Sequence, residues 1–413
     1  MVTPTLSKLL INGDRLLTNI AKLAEIGQLP NGGVQRIAYS SADIEARQLI
    51  RQWMSEVNMQ VSVDAGGNII GRYAGTHSDL PAIATGSHID TVPNAGHYDG
   101  VYGVLAALEV VRSLQENALQ LNHPLLVIVF ADEEGSMLGC KALSGNLIQD
   151  PSYYCRADGM DIQTCLSRIG GDWQKIERAK GNSRDFAAFV ELHVEQGPVL
   201  ESTGIQIGVV EGIVGQRRYW ISVRGSASHA GTTPMSMRQD ALVAAAQVIL
   251  SVNRLANTPG QQVATVGRMQ VSPNAPNTIP AFVKMSLDIR DLNDQKLDDL
   301  IESLKSDLEA IAASTQTQIN LEPILQNKSA LASPEIQMAI AQACQDLELS
   351  YLNLPSRAGH DAQEMAKLAD MGMIFVPSQN GLSHSELEYT SPEQCIQGAN
   401  VLLHTLLKLD QQI

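Results

Sequence analysis

The sequence predicts an α/β protein in which a larger domain, built on a mixed and largely parallel sheet, is interrupted by a smaller one. Runs of β-forming residues alternate with stretches of helical periodicity, and this alternation is typical of parallel strands joined by helices. The alternation stops after residue 212 and resumes near Ser333. The segment between has the predicted order β-α-β-β-α-β, which is that of a ferredoxin-like sandwich. We therefore expect one domain from residues 1–212 and 330–413, and another from residues 213–329.

The elements of the larger domain are predicted from apolar spacing and from the residues that flank them. Ser40 offers an N-cap hydroxyl to the second helix. The Val- and Ile-rich run that ends at Asp132 is typical of a strand covered on both faces. The predicted helices span residues 9–26, 41–57, 101–114 and 391–409, and the predicted strands span residues 68–75, 81–88, 125–132, 189–193 and 371–378.

The elements of the smaller domain are predicted in the same way. Gly212, Gly215 and the stretch 327–333 lie where the chain passes between the domains, and we expect them to act as hinges. The predicted strands span residues 218–225, 263–271, 282–290 and 318–325, and the predicted helices span residues 238–255 and 294–313.

Composition limits the classes of function. The chain has 413 residues, of which 44% are hydrophobic, so a large core can form. Its net charge of −15 argues against a nucleic-acid partner and against an anionic membrane surface. The apolar runs are shorter than the ~18 residues of a membrane helix. The five cysteines, including Cys155, are scattered without a C-x-x-C pair. We expect a cytoplasmic protein whose cysteines are structural thiols.

Side chains that can bind metals follow the ends of the predicted strands. In an open α/β sheet, ligands bind outside the carboxyl ends of the strands. A single histidine in such a place is more often structural, but here histidines and carboxylates from several strands could meet at one edge. Mixed nitrogen and oxygen ligands suit zinc, and also manganese or cobalt. The candidates are His88, Asp99, Glu134, His193 and His384.

Two further carboxylates near these candidates have expected roles of their own. Asp90 points to the same side of the strand as His88, so it could accept the second ring N–H of His88 and fix its tautomer. Glu133 is not needed as a ligand if Glu134 is one. A carboxylate beside a metal-activated water is suited to act as a general base. The sequence thus predicts a metal centre with its own base.

The chain resembles the dinuclear metal amidohydrolases of the aminoacylase–carboxypeptidase clan. Within that clan it is similar to the branch that holds N-carbamoyl-L-amino acid hydrolases, allantoate amidohydrolases and β-ureidopropionases. The resemblance covers nearly the whole chain, including the inserted domain. It is carried by five long motifs in order, GSHIDTVPNAGHYDGVYGVLAALEV, FADEEGSMLGCKALSG, ELHVEQGPVLE, GSASHAGTTPMSMRQDAL and GHDAQEMAKLADMGMIFVPSQNGLSHSELE.

The resemblance implies two divalent ions per subunit, zinc or else manganese or cobalt. It implies that His88 and His193 hold one metal and that Glu134 and His384 hold the other. Asp99 would bridge both ions. Glu133 would be the general base and then the proton donor.

The inserted domain would serve as a lid and as the surface of a homodimer. The resemblance implies that His229 stabilises the oxyanion and that Asn277 and Arg290 hold the substrate carboxylate. Whether these lid residues serve their own subunit or the partner is left open. Further substrate contacts are implied at Gln196, Arg218, Gly359 and His360.

The expected reaction is hydrolysis of the ureido C–N bond of an N-carbamoyl-L-amino acid, with release of ammonia, CO2 and the amino acid. Allantoate is the near alternative, and Arg218 favours it because a second polar arm would need an extra donor. A dipeptidase or aminoacylase is more distant, since peptidases of the clan commonly carry a carboxylate where this chain has His193. A non-catalytic binding protein is disfavoured because the base and all five metal ligands are present.

Overall fold

The structure is a computed structural model that describes residues 9–154, 156 and 159–413. The chain forms two compact units. The first comprises the described residues up to Gly212 together with Leu331–Ile413, and the second comprises Ile213–Ala330. No helix in these described ranges combines the length and the apolar composition needed to cross a membrane. Cys155 lies outside the described residues, and the other four cysteines are buried thiols.

The strands carry the numbers used below. They are, in chain order, β1 (Gln60–Val63), β2 (Ile69–Tyr73), β3 (Ala82–His88), β4 (Leu125–Phe130), β5 (Phe186–Val194), β6 (Ile207–Ile213), β7 (Gly215–Arg224), β8 (Ser228–His229), β9 (Val263–Ser272), β10 (Thr278–Ile279), β11 (Phe282–Asp291), β12 (Gln318–Asn327), β13 (Ala330–Leu331), β14 (Tyr351–Ser356) and β15 (Met371–Val376).

The α-helices are numbered in the same way. They are α1 (Gly13–Ala24), α2 (Ser41–Glu56), α3 (Val101–Glu116), α4 (Leu138–Ser144), α5 (Ile162–Arg168), α6 (Val199–Thr203), α7 (Ala241–Ala256), α8 (Asp294–Thr315), α9 (Pro334–Asp346), α10 (Asp361–Met365) and α11 (Pro392–Gln412).

The first unit is built on one mixed sheet with the order β1-β2-β4-β3-β5-β15-β6-β13, with β14 beside β6. The pairings β3–β4, β3–β5 and β5–β15 at the centre of the sheet are parallel. The pairings β1–β2, β2–β4 and β6–β15 are antiparallel. The expected mixture of parallel and antiparallel strands is confirmed. The antiparallel part includes β1 and β2, which are joined by a short turn, and a turn of that length permits only antiparallel pairing.

The core of the first unit lies on both faces of these central strands. Every residue of β3 and of β15 is buried, as in strands covered on both faces. Helix α3 packs against β3 and β5, and α1 and α11 pack against α3 in turn. Since α3 is buried nearly all round, its sequence is apolar nearly all round. The rigid central strands therefore provide fixed end points for the side chains beyond them.

The second unit has an antiparallel four-stranded sheet of order β12-β7-β11-β9. Its long elements follow the order β-α-β-β-α-β. Alternate residues of β11 are buried, and α7 and α8 pack against the sheet. The short strands β8 and β10 pair with each other beside this sheet as a separate two-stranded ribbon.

Candidate metal centre

The candidate metal centre lies in the first unit, at the carboxyl ends of the four central parallel strands. His88 ends β3, and His193 is the last but one residue of β5. Glu133 and Glu134 follow β4, and His384 follows β15. Because β4, β3, β5 and β15 are neighbours in the sheet, their ends bring these side chains to one edge.

Asp99 occupies the middle of the centre and divides it in two. Its Oδ1 atom lies 3.1 Å from His193 Nε2 and 3.6 Å from His88 Nε2. Its Oδ2 atom lies 3.3 Å from His384 Nε2, which is also 3.3 Å from Glu134 Oε1. We call His88, His193 and Asp99 Oδ1 the buried half, and Glu134, His384 and Asp99 Oδ2 the outer half. One carboxylate therefore belongs to both groups.

Main-chain carbonyl groups orient the two histidines of the buried half. His193 Nδ1 lies 2.8 Å from the carbonyl oxygen of Val194, and His88 Nδ1 lies 3.0 Å from that of Asp90. A ring nitrogen that faces a carbonyl carries a proton, so Nε2 is the atom of each ring that faces Asp99: it donates to Asp99 when the ring is protonated and can bind a metal ion when the ring is neutral. Neutral imidazoles held in this way are the usual metal-binding form of histidine.

The Asp90 carboxylate has a different contact from the expected one. It lies 3.9 Å from His88 Nδ1, too far for a hydrogen bond, and the main-chain oxygen of Asp90 takes that place. The carboxylate instead accepts hydrogen bonds from the main-chain N–H groups of Glu133 (3.3 Å) and Glu134 (3.2 Å). Asp90 therefore orients His88 through its main chain and the acidic pair through its side chain.

Gly100 allows the close approach of the loop that carries Asp99. Its φ of 65° is in the left-handed region, and a Cβ atom there would lie 2.5 Å from the His88 ring. Its N–H points at His193 Nε2 over 3.1 Å. A side chain at this position would displace the ring of a candidate ligand.

Burial and charge set the pKa values in the centre. Burial alone would raise the pKa of Asp99, but hydrogen bonds from the surrounding histidines outweigh it and hold the pKa well below its ordinary value. Burial raises the pKa of Glu133 well above its ordinary value and that of Glu134 to about 7. The protein alone therefore stabilises the anions of Glu133 and Glu134 poorly. A bound cation would supply the missing stabilisation.

The donor atoms fit divalent metal ions. Two groups of ligand atoms, one in each half, lie within 4.8 Å of one another. Tetrahedral zinc with bonds of about 2.1 Å puts neighbouring ligand atoms about 3.4 Å apart, and the nitrogen–oxygen separations around Asp99 are 3.1–3.6 Å. In the described part of the chain the Oε1 atom of Gln196 is buried beside Asp99 without a hydrogen-bond partner. The set of imidazoles and carboxylates is the one that zinc, manganese and cobalt accept.

Three of the expected substrate contacts lie in the first unit. Gln196 has a left-handed backbone, and its Nε2 donates a 2.7 Å hydrogen bond to Asp99 Oδ2. His360 is buried, and its ring packs edge-on against His193 with centroids 4.5 Å apart. Its Nε2 lies 2.9 Å from the hydroxyl of Ser356. Gly359 is exposed, and a Cβ there would meet only Gln363 Oε1, at 3.9 Å. Gln196 and His360 thus support the ligands themselves.

His229 and Asn277 lie together in the second unit. His229 is exposed on β8, opposite Thr278 of β10, and the N–H of Ala230 donates to the carbonyl of Asn277 at 3.0 Å. His229 Nδ1 accepts main-chain hydrogen bonds from residues 231 (3.0 Å) and 232 (3.2 Å). The proton therefore resides on Nε2, which makes this ring a neutral N–H donor.

Arg290 and Arg218 lie on neighbouring strands of the second unit and share one carboxylate. Asp288 of β11 is opposite Arg218 of β7 in the sheet. Its two oxygens accept hydrogen bonds from Arg218 Nε at 2.6 Å and from Arg290 Nε at 2.9 Å. Burial alone would raise the pKa of Asp288, but the two guanidinium groups outweigh it and lower that pKa. Asp288 therefore pairs with both guanidinium groups at once.

Comparison with known proteins assigns the chain to a family. A family model described as peptidase family M20/M25/M40 matches residues 84–408. The chain belongs to this family. The match includes every candidate residue of the metal centre and the whole second unit.

Relatives of this M20 chain share nearly its full length. It is 38% identical over 408 residues to an N-carbamoyl-L-amino acid amidohydrolase from Geobacillus stearothermophilus, covering 97% of this chain and 100% of that protein. It is 34% identical to an allantoate amidohydrolase from Bacillus subtilis, covering 94% and 95%. A solved structure of a hydantoinase/carbamoylase family amidase from Burkholderia multivorans is 37% identical, with a TM-score of 0.90 over 97% of this chain and 98% of that one.

Two residues at the centre of this M20 chain were missed in the sequence. Glu388 is buried and accepts hydrogen bonds from the main-chain N–H groups of Tyr98 (2.8 Å) and Asp99 (3.1 Å). The hydroxyl of Ser383 lies 2.9 Å from both Asp99 Oδ2 and Glu388 Oε2. The only signal was their position in the run SHSELE around His384, and there a surface charge is the ordinary interpretation of a glutamate.

Proposed function

We propose that this protein is a metal-dependent amidohydrolase that removes the carbamoyl group of N-carbamoyl-L-amino acids. The observation that carries the proposal is the Asp99 carboxylate, whose two oxygens face two separate sets of metal-binding side chains. Relatives over the whole chain length are named N-carbamoyl-L-amino acid amidohydrolases, and this supports the choice of substrate.

We assign one divalent ion to the buried half and a second to the outer half, with Asp99 shared between them. When bound, such a pair of ions polarises a carbonyl group and acidifies water. The remaining side chains then have the tasks of binding, orienting and moving protons. Zinc, manganese and cobalt all suit these ligands.

Glu133 is the proposed general base. Its Oε2 atom lies 3.6 Å from His88 Nε2, at the edge of the centre, and it is not one of the two sets around Asp99. It would take a proton from the attacking water and then deliver it to the leaving amine. The bond between the carbamoyl carbon and the amino-acid nitrogen breaks. One water and one carbamoyl amino acid give the free amino acid, CO2 and ammonia.

The substrate contacts are proposed from the resemblance and from the donors found. The neutral N–H of His229 suits stabilisation of an oxyanion. Arg290 and Asn277 suit a carboxylate, since guanidinium and amide groups donate to its oxygens. The main chain at Gly359 is accessible to a substrate. The proposed set is completed by Gln196, Arg218 and His360. Gln196 acts at Asp99, and His360 acts at His193.

Allantoate is the second candidate substrate. It is favoured by Arg218, which stands beside Arg290 on the same carboxylate and could meet a second polar arm. The relative from Bacillus subtilis that is named allantoate amidohydrolase supports this alternative.

We further propose a homodimer through the second unit. Leu242, Val243 and Leu250 of α7 are 38%, 48% and 69% exposed, and β9 is an edge strand with an unpaired side. Apolar side chains and a free strand edge favour association with another copy. Light scattering that gives the mass of a single chain would contradict this part of the proposal.

The test of function is metal-dependent ammonia release. Protein stripped with a chelator is reloaded with manganese, zinc or cobalt and given N-carbamoyl-L-methionine or allantoate at matched concentration, with N-carbamoyl-D-methionine as the control. We expect faster release from the L-carbamoyl amino acid, with free L-methionine formed, and none from the stripped protein. Faster release from allantoate would transfer the assignment to that substrate. No release from either by any metal-loaded sample would overturn the enzyme proposal.

A further inference from the structure

We infer that Glu388 is a positioning residue that holds the outer half of the metal centre together. The inference rests on the proposed function, because it concerns the second ion of the proposed pair. Glu388 is only 5% exposed, and it is four residues beyond His384. It touches none of the reacting atoms and acts through the two loops that carry Asp99 and His384.

One oxygen of Glu388 fixes the loop that carries Asp99. Oε1 accepts hydrogen bonds from two consecutive main-chain N–H groups, those of Tyr98 and Asp99. Hydrogen bonds from two consecutive N–H groups to one carboxyl oxygen fix both the position and the direction of the chain there. The Asp99 side chain leaves its main chain directly from this anchored point.

The other oxygen of Glu388 reaches the loop that carries His384. Oε2 and Asp99 Oδ2 both lie 2.9 Å from the hydroxyl of Ser383, the residue before His384. Ser383 therefore connects the shared carboxylate to Glu388 just where the chain turns into a left-handed conformation at His384. Glu388 thus contacts both ligand-bearing loops at once.

The surrounding chain is shaped to admit this carboxylate. A Cβ atom at Gly96 would lie 2.4 Å from Glu388 Cβ and 2.8 Å from its Oε1. Only a glycine lets the loop before Asp99 pack this closely on Glu388. The contact therefore requires two features, the buried carboxyl group of Glu388 and the absence of a side chain at Gly96.

The buried half depends on Glu388 only through Asp99. Its two histidines are held by strands and by carbonyl groups of their own segments. Loss of Glu388 should therefore weaken metal binding mainly in the outer half. Outer partners of metal ligands typically contribute about 10–100-fold to metal affinity.

The test compares the full-length variants Glu388→Gln and Glu388→Ala with a matched control, Asp410→Ala. Asp410 is also a buried carboxylate that accepts from two consecutive main-chain N–H groups, those of Asn122 (2.9 Å) and His123 (2.8 Å). Metal content is measured by mass spectrometry after dialysis against graded free Mn2+, and melting temperature is measured on the same samples. Glu388→Gln keeps the size of the side chain and covers the case in which the alanine variant does not fold.

We expect Asp410→Ala to bind each of the two ions as tightly as wild type does. Its melting temperature should nevertheless be lower than that of wild type. Glu388→Ala should keep the first ion and bind the second about 10–100-fold more weakly, with a smaller loss in Glu388→Gln. Excess Mn2+ should restore turnover. Unchanged affinity for the second ion in both Glu388 variants would overturn the inference while leaving the proposed function intact. Wild-type protein that binds no ion would overturn both.

Discussion

The two halves of the metal centre share Asp99 but are supported in different ways. In the buried half, His88 and His193 are 2% and 1% exposed and belong to central strands of the sheet. In the outer half, the His384 side chain is 51% exposed and lies in a loop. A ligand fixed by a packed strand loses little freedom when it binds an ion, whereas a loop ligand must be ordered first. The buried half should therefore bind its ion more tightly.

The largest effect is expected where the halves meet. Asp99→Ala removes the one carboxylate that both share, so both ions should be lost together. Turnover should fall by more than the roughly 10⁴-fold upper limit for loss of a general base. Metal analysis and ammonia release on the same preparation check this. Retention of one ion at wild-type affinity would show that the halves are independent.

Glu133→Gln should separate chemistry from metal binding. Glu133 is proposed as the base and belongs to neither half, so both ions should stay. Turnover should fall about 10²–10⁴-fold, the usual contribution of a general acid–base group. Single-turnover rates alongside metal content provide the measurement. Parallel loss of metal and turnover would make Glu133 a ligand instead.

One histidine from each half gives a direct comparison. His384→Ala should abolish the weaker ion and leave one ion bound, because the buried half keeps both of its imidazoles. His193→Ala should lose the tighter ion, and it removes a ring that packs against His360. Titration of each stripped variant with Mn2+ measures the two affinities. Equal losses of the tight ion in both variants would contradict the division into halves.

The smallest effect is expected from Asp90→Asn, which changes a side chain and preserves the main chain. The carbonyl that holds His88 remains, so affinity in the buried half should be unchanged. The carboxylate that accepts hydrogen bonds from the main-chain N–H groups of Glu133 and Glu134 is lost. Metal affinity in the outer half should therefore fall about 10-fold, at the low end of the range for residues that support metal ligands. A change confined to the tight ion would contradict this assignment.

The sequence predicted the ends of the central strands, and the candidate ligands that it named there lie close together. His88 and His193 end long runs of buried β-forming residues, and such runs are recognised locally. The strands β6, β13 and β14 and the helix α9 were not predicted. Strand β13 has only two residues, and glycines interrupt the apolar run IGVVEGI of β6.

Contacts between distant residues were the part that the sequence could not supply. The shared position of Asp99 was taken from the family resemblance, because spacing alone does not say which oxygen faces which histidine. The Asp288 carboxylate between Arg218 and Arg290 depends on strand register. Glu388 accepts a hydrogen bond from the main chain of Asp99, which is 289 residues away in sequence. No local sequence pattern predicts a contact over that separation.

The central claim is that Asp99 bridges two metal ions. A crystal structure of Mn2+-loaded protein with anomalous scattering data tests it most directly. We expect two manganese peaks, one on each side of Asp99. One peak should contact His88 and His193, and the other should contact Glu134 and His384. A single peak, or a peak between Glu191 and His360, which form another buried group of possible ligands with His193, would contradict it.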